Sequence, residues 1–246
     1  MQAFLLAAGL GTRLRPLTDS RPKALVEVDG EPLLKLNIER LAAHGADRIV
    51  VNVHHFADQV VEYLGAHTWP ADILVSDERE LLLDTGGGLK KAAPLFRPGE
   101  PVLVHNVDIL SRLDLGALWR QHLESGALAT LAVSQRDTAR QLLFTPDGRL
   151  AGWHNRQSGE TRWALDTVSG QSRADGCIEL AFSGIAVVSP QMLDLLPEAS
   201  APYPIIPAYL DAARTHTIRH FLHPAADWLD VGKPETLQQA QSWIRS

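Results

Sequence analysis

The sequence predicts an α/β fold, in which a mostly parallel, mixed sheet is flanked by helices and carries a smaller cap. Two observations support this prediction. Short apolar runs alternate with segments of helical periodicity through residues 1–135, which is the pattern of parallel strands joined by crossover helices. From residue 136 the alternation gives way to a hairpin pattern and polar stretches, so we expect residues 136–246 to cap the first half.

The elements of the first half follow from the period of their apolar residues. Short apolar runs predict buried strands, and they occur at residues 3–7, 47–53, 71–76, 101–108 and 127–134. Helical spacing predicts helices at residues 31–45, 56–65, 87–96 and 115–126. Glycine is favoured where helices end, and it closes three of these segments. Asp114 is the expected N-cap of the last one.

The second half predicts a hairpin, a loop region and a final group of strands and helices. Residues 140–155 form two apolar runs around a Pro-Asp-Gly turn signal, which predicts an antiparallel hairpin. Residues 158–176 are polar and irregular, and we expect loops there. The later patterns predict strands at 178–189 and 217–223 and helices at 190–197, 207–216 and 234–246. We find no repeats and expect one domain over residues 1–246.

Composition excludes several classes of protein. The chain has 246 residues, of which 45% are hydrophobic, with a net charge of −6. An acidic balance disfavours a nucleic-acid-binding protein, whose partner attracts basic surfaces. One cysteine allows neither an intrachain disulfide nor a cysteine metal cluster. The opening apolar run is short and lacks a basic leader, so it does not resemble a signal peptide. No run approaches a membrane span, and the sequence predicts a cytoplasmic protein.

The loop after the first strand predicts a polyphosphate cradle. Residues 6–18 are LAAGLGTRLRPLT, at the strand end where ligands bind in parallel sheets. Gly9 and Gly11 allow a tight turn and a close approach of backbone to ligand, and Arg13 and Lys23 add positive charge. The third glycine of the dinucleotide fingerprint is Leu14 here, and the Walker A lysine is missing. The expected nucleotide-binding residues are Leu6, Ala7, Ala8, Gly9, Gly11, Thr12, Arg13 and Lys23.

This loop, followed by PKALVEV at residues 22–28, resembles the signature of the sugar-1-phosphate nucleotidyltransferases. The resemblance implies a Rossmann-like fold and the reaction of a nucleoside triphosphate with a sugar 1-phosphate, giving a nucleotide sugar and pyrophosphate. It implies that Arg13 contacts the β- and γ-phosphates and that Lys23 holds the α-phosphate and the sugar phosphate. It also implies that residues 1–135 mainly bind the nucleotide and that 136–246 mainly bind the sugar.

The chemistry of joining two anions requires neutralisation of charge, and Mg²⁺ held by carboxylates supplies it. Asp108 ends an apolar strand, and Asp230 lies between the last strand and the last helix. Both match acids that the family uses as metal ligands. We therefore expect Mg²⁺ as the cofactor and Arg13, Lys23, Asp108 and Asp230 as the catalytic residues. The family usually has glycine before the first acid, where this chain has Val107.

A second glycine-rich segment, LLLDTGGGLKKA at residues 81–92, resembles the base-contacting loop of the family. The expected base contacts are Asp84, Gly86 and Gly87. Its triple glycine, AFSGIAVVSP at 181–190 and DWLDVGKPETL at 227–237 resemble the N-acetylmuramate 1-phosphate uridylyltransferases. The resemblance suggests sugar contacts from Asn106, Glu179, Ser183 and Gly184. A lysine that many members carry after the hairpin has no counterpart in WHNRQSGE at 153–160.

We therefore expect Mg²⁺-dependent transfer from UTP to N-acetylmuramate 1-phosphate, within peptidoglycan recycling and cell-wall synthesis. A guanylyl- or thymidylyltransferase acting on another hexose or heptose 1-phosphate is the alternative within the class. A choline-phosphate cytidylyltransferase of the same fold is a weaker match. A regulator that binds a nucleotide sugar without catalysis is the alternative from another class, and only Val107 favours it. No nucleic-acid or membrane partner is expected, and the sequence leaves the oligomeric state open.

Overall fold

The computed structural model describes residues 1–165 and 176–245. Its first half contains the predicted alternation of strands and helices. The strands are β1 (Gln2–Leu6), β2 (Glu27–Val28), β3 (Glu31–Pro32), β4 (Arg48–Val53), β5 (Asp72–Asp77), β6 (Val102–Asn106), β7 (Ile109–Ser111) and β8 (Ala129–Ser134). The helices are α1 (Leu33–Ala43), α2 (Ala57–Gly65), α3 (Asp84–Ala92) and α4 (Leu115–Ser125). The Asp114 carboxylate accepts a hydrogen bond from the Ala117 amide at 2.8 Å, so the predicted N-cap is confirmed.

The second half contains the predicted hairpin and two strands that the sequence did not predict, β11 (Thr161–Trp163) and β14 (Trp228–Asp230). The strands are β9 (Arg140–Phe144), β10 (Leu150–Asn155), β11 (Thr161–Trp163), β12 (Ile178–Val188), β13 (Ile218–Leu222) and β14 (Trp228–Asp230). The helices are α5 (Pro190–Leu195), α6 (Ile205–Ala212) and α7 (Pro234–Arg245). The expectation of loops over 158–176 is wrong for 161–163, which pair antiparallel with β10. Residues 166–175 of that region lie outside the described residues.

Within the described ranges, ten strands form one mixed sheet, and the predicted fold class is confirmed. Its main order is β11-β10-β9-β12-β6-β1-β4-β5, and β8 and β13 join it through β12. The four strands from β6 to β5 are parallel. In the second half, β12 runs antiparallel to β6, and the hairpin continues that pattern. The sheet therefore has a parallel half and an antiparallel half that meet between β6 and β12.

The register of the parallel strands brings three residues to one edge of the sheet. Leu6, the last residue of β1, lies opposite Asn52 on one side and Asn106 on the other. The loop that follows Leu6 therefore leaves the sheet between two asparagines. Ligands of parallel α/β sheets bind beyond this carboxyl edge, so the register alone identifies the region to examine.

Two apolar cores lie on the two faces of the sheet. Side chains alternate between faces along a strand, and β1 shows this: Ala3 and Leu5 belong to the core beneath α1, α2 and α4. Phe4 belongs to the other core, beneath α3, α5 and α6. Because both faces are covered, β1 is apolar at nearly every position and not only at alternate ones.

The bounds of two predicted elements change in ways that matter for function. The helix predicted from 87 begins at Asp84, so Gly86 lies inside it. The strand predicted through Asp108 ends at Asn106, and β7 then pairs antiparallel with β14, with Ile109 opposite Asp230. No helix in the described part of the chain is long and apolar enough to cross a membrane.

Candidate active site

The loop after β1 is a closed turn held by its own contacts. Gly11 has φ +65°, and a Cβ there would lie 2.9 Å from the Thr18 side chain, so this position requires glycine. The Thr18 hydroxyl donates to the Gly11 carbonyl at 2.8 Å. A short 3₁₀ helix then begins at Thr12 and carries Arg13. The predicted turn is therefore present, and its tightness directs Arg13 back across the edge of the sheet.

Asn52 fixes the start of this loop. Its side-chain oxygen accepts hydrogen bonds from the Ala7 amide at 2.6 Å and the Ala8 amide at 3.2 Å. Its Nδ2 donates to Glu78 Oε1 at 2.7 Å, and Glu78 Oε2 accepts from the Leu83 amide at 3.0 Å. Asn52 and Glu78 are buried. The amides of Ala7 and Ala8 are therefore engaged by the protein.

The buried Glu78 joins this network to the start of α3. Burial raises the pKa of Glu78 above its ordinary value of 4.5, and hydrogen bonds from Asn52 and Leu83 partly oppose the shift. The network joins the loop after β1, strand β4, the residue that follows β5 and the residue that precedes α3. It therefore ties the loop after β1 to the start of α3.

Four charged side chains meet at the carboxyl edge. Lys23 Nζ lies 2.7 Å from Asp108 Oδ2, and Arg13 lies 3.7 Å from Asp108 and 3.5 Å from Asp230. The structure therefore brings together all four residues predicted to be catalytic. The unpredicted β7–β14 pairing produces this meeting, and the Val231 amide reinforces it by donating to the Asp108 carbonyl at 2.9 Å.

The two acids and Arg13 converge beside Gly232. Arg13 Nη2, Asp230 Oδ1 and Asp108 Oδ2 lie 2.7, 2.8 and 3.0 Å from the point that a Cβ on Gly232 would occupy. A side chain at 232 would therefore fill the space between the carboxylates. Mg²⁺ takes one or two carboxylates and completes its shell with water and substrate phosphates, so this donor set fits it. In the described ranges, no group of three or more His, Cys, Asp and Glu side chains is arranged to hold a metal.

Two cavities adjoin the acids and share part of one wall. The smaller, about 370 Å³, is lined by Leu6, Ala8, Gly9, Lys23, Asn52, Leu82, Asp84, Thr85, Asn106, Asp108 and Pro202. The larger, about 600 Å³, contains Arg13, Asp230, Arg136, Gln141, Trp153 and Trp228 in its lining. Asn106 and Asp108 line both. Two ligands in adjacent cavities would therefore meet beside Asp108.

Only part of the predicted base loop lines the smaller cavity. Asp84 lines it, with φ +60°, a conformation that Asp tolerates better than most residues. Gly86 and Gly87 do not line it, because their amides donate to the Tyr203 carbonyl at 3.0 and 3.3 Å. A Cβ on Gly86 would lie 2.4 Å from the Tyr203 ring. The structure gives these two glycines a packing role, and their predicted contact with a base stays a prediction.

Of the four residues predicted to bind the sugar, Asn106, Ser183 and Gly184 line the larger cavity, and Glu179 does not. Glu179 is exposed, lies outside the lining of both cavities and pairs with Arg156 at 2.6 Å. Ser183 lines the larger cavity, but its hydroxyl is turned to His223 Nε2 at 2.8 Å. Gly184, with φ +71°, packs against Asn106, since a Cβ there would lie 2.7 Å from Asn106 Nδ2.

Val107, the departure from the family glycine, is accommodated by the core. Its side chain is fully buried within the apolar core beneath α1. Its amide donates to the Leu6 carbonyl at 3.1 Å, and its carbonyl accepts from Asn37 at 2.9 Å. The side chain therefore does not occupy either cavity, and the one feature that favoured a non-catalytic regulator loses its force.

Sequence reasoning missed Glu78, Arg136 and Trp228. Arg136 lies two residues after the end of β8, and a charged residue close to the end of an apolar strand was a usable signal. Trp228 lies two residues before Asp230, so strand alternation would have placed both on one face. Glu78 had no local signal, because its partners come from distant segments of the chain.

Known proteins resemble this chain in sequence and in fold. The model of the nucleotidyl transferase family matches residues 2–142. An N-acetylmuramate alpha-1-phosphate uridylyltransferase of Caulobacter vibrioides is 33% identical, over 98% of this chain and 95% of the relative. An enzyme of the same description from Neisseria meningitidis serogroup B is 31% identical, over 98% and 97%. The solved UDP-glucose pyrophosphorylase from Acinetobacter baumanii shares the fold, with a TM-score of 0.76, 17% identity and coverage of 98% and 91%.

Proposed function

Since this chain belongs to the nucleotidyl transferase family and is a sugar-1-phosphate nucleotidyltransferase, we propose that its nucleotide is UTP, its sugar is N-acetylmuramate 1-phosphate and its cofactor is Mg²⁺. The products are the UDP-linked sugar and pyrophosphate. The observation that supports this most is the pair of acids, Asp108 and Asp230, at the junction of two cavities. One cavity is suited to each substrate.

The reaction joins two phosphates that repel each other. A phosphate oxygen of the sugar 1-phosphate attacks the α-phosphorus of UTP, and the bond from that phosphorus to the oxygen bridging to the β-phosphorus breaks. Pyrophosphate leaves with the electron pair. Catalysis of this kind depends on positioning and on charge neutralisation more than on covalent chemistry. The enzyme therefore needs cations close to the reacting phosphorus and a fixed seat for each substrate.

The chain's own cations meet this need. Lys23 lines the smaller cavity beside Gly9, where its ammonium neutralises the α-phosphate. Arg13 lines the larger cavity and lies near both acids, and its guanidinium adds positive charge where the two phosphates meet. Asp108 orients both cations through its contacts at 2.7 and 3.7 Å. Asp108 and Asp230 would hold Mg²⁺, which supplies additional positive charge on the phosphates when bound.

Several features support the choice of sugar. Two relatives with nearly full-length similarity are described as N-acetylmuramate alpha-1-phosphate uridylyltransferases. The larger cavity also has apolar walls from Leu142, Trp153 and Ile206. Gln141 in that lining donates through Nε2 to the Arg136 and Thr138 carbonyls, while its buried Oε1 has no partner among the described residues. The amide hydrogen of an acetamido group is a suitable donor for such an acceptor.

The biological setting follows from the chemistry of the product. A UDP-linked acetylated sugar acid is a precursor of cell-wall polymers, and its formation from a salvaged sugar phosphate is a recycling step. We therefore propose a role in peptidoglycan recycling. This role requires N-acetylmuramate 1-phosphate as the sugar substrate, and a different sugar would rule it out.

The test is a matrix of nucleoside triphosphates and sugar 1-phosphates, measured by pyrophosphate release with Mg²⁺ and with EDTA. UTP with N-acetylmuramate 1-phosphate is expected to give the highest kcat/KM, and EDTA is expected to abolish release. A higher kcat/KM with GTP or dTTP, or with another sugar, would replace the proposed substrates. Pyrophosphate release that persists in EDTA would overturn the metal proposal. Nucleotide binding without release for any pair would favour a regulator.

A further inference from the structure

Arg136 is a half-buried cation of the larger cavity that the proposed chemistry has not used. Its guanidinium carbon lies 3.3 Å from the centroid of the Trp228 ring. Nη2 donates to the Phe182 carbonyl at 2.8 Å. Nη1 is buried and has no hydrogen-bond partner among the described residues. One side of the guanidinium is therefore fixed by protein, and one nitrogen has unused hydrogen-bonding capacity.

The guanidinium remains charged where the enzyme works. Burial lowers the pKa of Arg136 to about 10, and the negative charge of Asp230 partly opposes this shift. The side chain is therefore a cation at neutral pH. A buried charge is costly unless an opposite charge and hydrogen bonds compensate it. No carboxylate in the described ranges lies within ion-pair distance of Arg136, so an anionic ligand is the missing partner.

The position of Arg136 indicates which anion it takes. Trp228 and Asp230 lie two residues apart on β14, and residues two apart on a strand face the same side. Two residues of strand span about 7 Å. The guanidinium stacked on Trp228 therefore lies close to the acid that lines the reaction centre. An anionic group that contacts the Arg136 guanidinium and also lies beside Asp230 would be the reacting phosphate. A substituent at the far end of the sugar would not reach both.

The other cations near the larger cavity differ from Arg136, since Arg140 and Lys233 line it but are exposed to solvent. Arg13 faces the two acids. Arg156 pairs with Glu179 at 2.6 Å and with Asp137 at 3.3 Å. Arg136 differs from both, because its described hydrogen bond is to a neutral carbonyl. Guanidinium presents a planar fork of donors that suits phosphate oxygens, and aromatic stacking fixes the plane of that fork.

We propose that Arg136, held flat against Trp228, binds the phosphate of the sugar 1-phosphate and orients it for attack. This proposal rests on the proposed function only in requiring a sugar 1-phosphate, and it is independent of which base or sugar the enzyme selects. Binding leaves the phosphate in its ionised form, so no proton transfer is required. The sugar itself extends from this phosphate into the rest of the larger cavity.

The experiment compares Arg136→Gln and Arg136→Lys with the wild-type enzyme. Glutamine removes the charge but keeps an amide donor, and lysine keeps the charge but loses the planar fork. Hydrogen bonds to charged groups contribute about 1.5–3 kcal/mol, which corresponds to about a 10- to 100-fold rise in KM for the sugar phosphate. We expect that rise for Arg136→Gln, a smaller rise for Arg136→Lys, and an unchanged KM for the nucleoside triphosphate. Circular dichroism verifies that each variant is folded.

Two sugar phosphates identify the group that is bound. N-Acetylmuramate 1-phosphate carries a carboxylate on the sugar, and N-acetylglucosamine 1-phosphate does not. A phosphate contact predicts the same fold-change for both in Arg136→Gln. A loss confined to the acidic sugar would overturn the proposal, because Arg136 would then bind the sugar carboxylate. An equal rise in the KM for the triphosphate, or no change at all, would overturn it as well.

Calorimetric titration with N-acetylglucosamine 1-phosphate supplies a readout that does not depend on turnover. Weaker binding in Arg136→Gln than in the wild type is expected, and equal binding would contradict the proposal. Arg112→Gln is the matched control, since Arg112 also stacks on a tryptophan, Trp243, at 4.4 Å and donates to its carbonyl, but lies outside both cavities. If the wild type prefers another sugar 1-phosphate, the same titration is made with that compound. A failure of the proposed substrate is then separate from a failure of Arg136.

Discussion

Replacing Asn52 with alanine tests whether its hydrogen bonds fix the conformation of the loop after β1. The substitution removes the acceptor of the Ala7 and Ala8 amides, which lie at 2.6 and 3.2 Å. It also removes the donor to Glu78 Oε1 at 2.7 Å. The residues that carry the two amides are 2% and 4% exposed, so these groups lose their partner in a nearly dry environment.

The expected loss of stability follows from these contacts. A buried donor left without a partner costs about 1–3 kcal/mol. Two donors set an upper bound of about 6 kcal/mol, but Asn52 lines the smaller cavity, and water entering there can satisfy part of the deficit. We therefore expect the free energy of unfolding to fall by about 2–4 kcal/mol, measured by urea denaturation.

The loss of activity is expected to be specific for the nucleotide. If the nucleotide must order the loop when it binds, the KM for the triphosphate rises about tenfold for each 1.4 kcal/mol of ordering free energy. The KM for the sugar phosphate should change little, because Asn52 does not line the larger cavity. Steady-state kinetics with each substrate varied in turn measures both values.

Gln2→Ala is the matched control. Gln2 is also fully buried, and it makes three hydrogen bonds with the Arg97 and Glu100 backbone at the opposite end of β1. It should lose comparable stability while its KM for the triphosphate stays at the wild-type value. An unchanged KM for the triphosphate in Asn52→Ala, or equal changes of that KM in both variants, would show that Asn52 does not fix the loop.

Four further predictions concern the same site. Asp108→Asn should keep the fold and lower kcat about 100- to 1,000-fold, the scale of losing one preorganised electrostatic contact; pyrophosphate release near the wild-type rate would contradict its role. Lys23→Ala should reduce kcat/KM far more than it reduces the melting temperature, and the reverse ratio would identify a structural lysine. Gly184→Ala should raise the KM for the sugar phosphate, because its φ of +71° is strained with a Cβ and that Cβ would displace Asn106; an unchanged KM would show that this turn is remote from the sugar. Glu78 has a raised pKa in the folded protein, so its stabilising contribution is fully present below its ordinary value of 4.5 and is lost as pH rises through the folded value. The free energy of unfolding of Glu78→Gln, measured across that range, should therefore lack this decline with rising pH, and identical pH profiles for variant and wild type would rule it out.

The sequence predicted the residues of the candidate site better than it predicted how those residues come together. Asp108 was placed by the apolar strand before it, and Arg13 by the glycine turn, since both signals are local. Asp230 was placed by resemblance alone, because nothing in its own segment indicates a neighbour from the middle of the chain. The base loop shows the limit of local reasoning. Its glycines suggested contact with a ligand, and Gly86 instead packs against the Tyr203 ring.

The sequence by itself determined most of the strands and helices and the glycine turn after β1, because apolar period, helix-ending glycines and turn residues act over a few neighbouring positions. Only the tertiary structure decided which distant segments meet. The antiparallel pairing of β7 with β14 brings Asp230 beside Asp108, and the stacking of Arg136 on Trp228 places a half-buried charge in the larger cavity. Such contacts depend on strand register and on packing between segments far apart in the chain, and no local propensity encodes them.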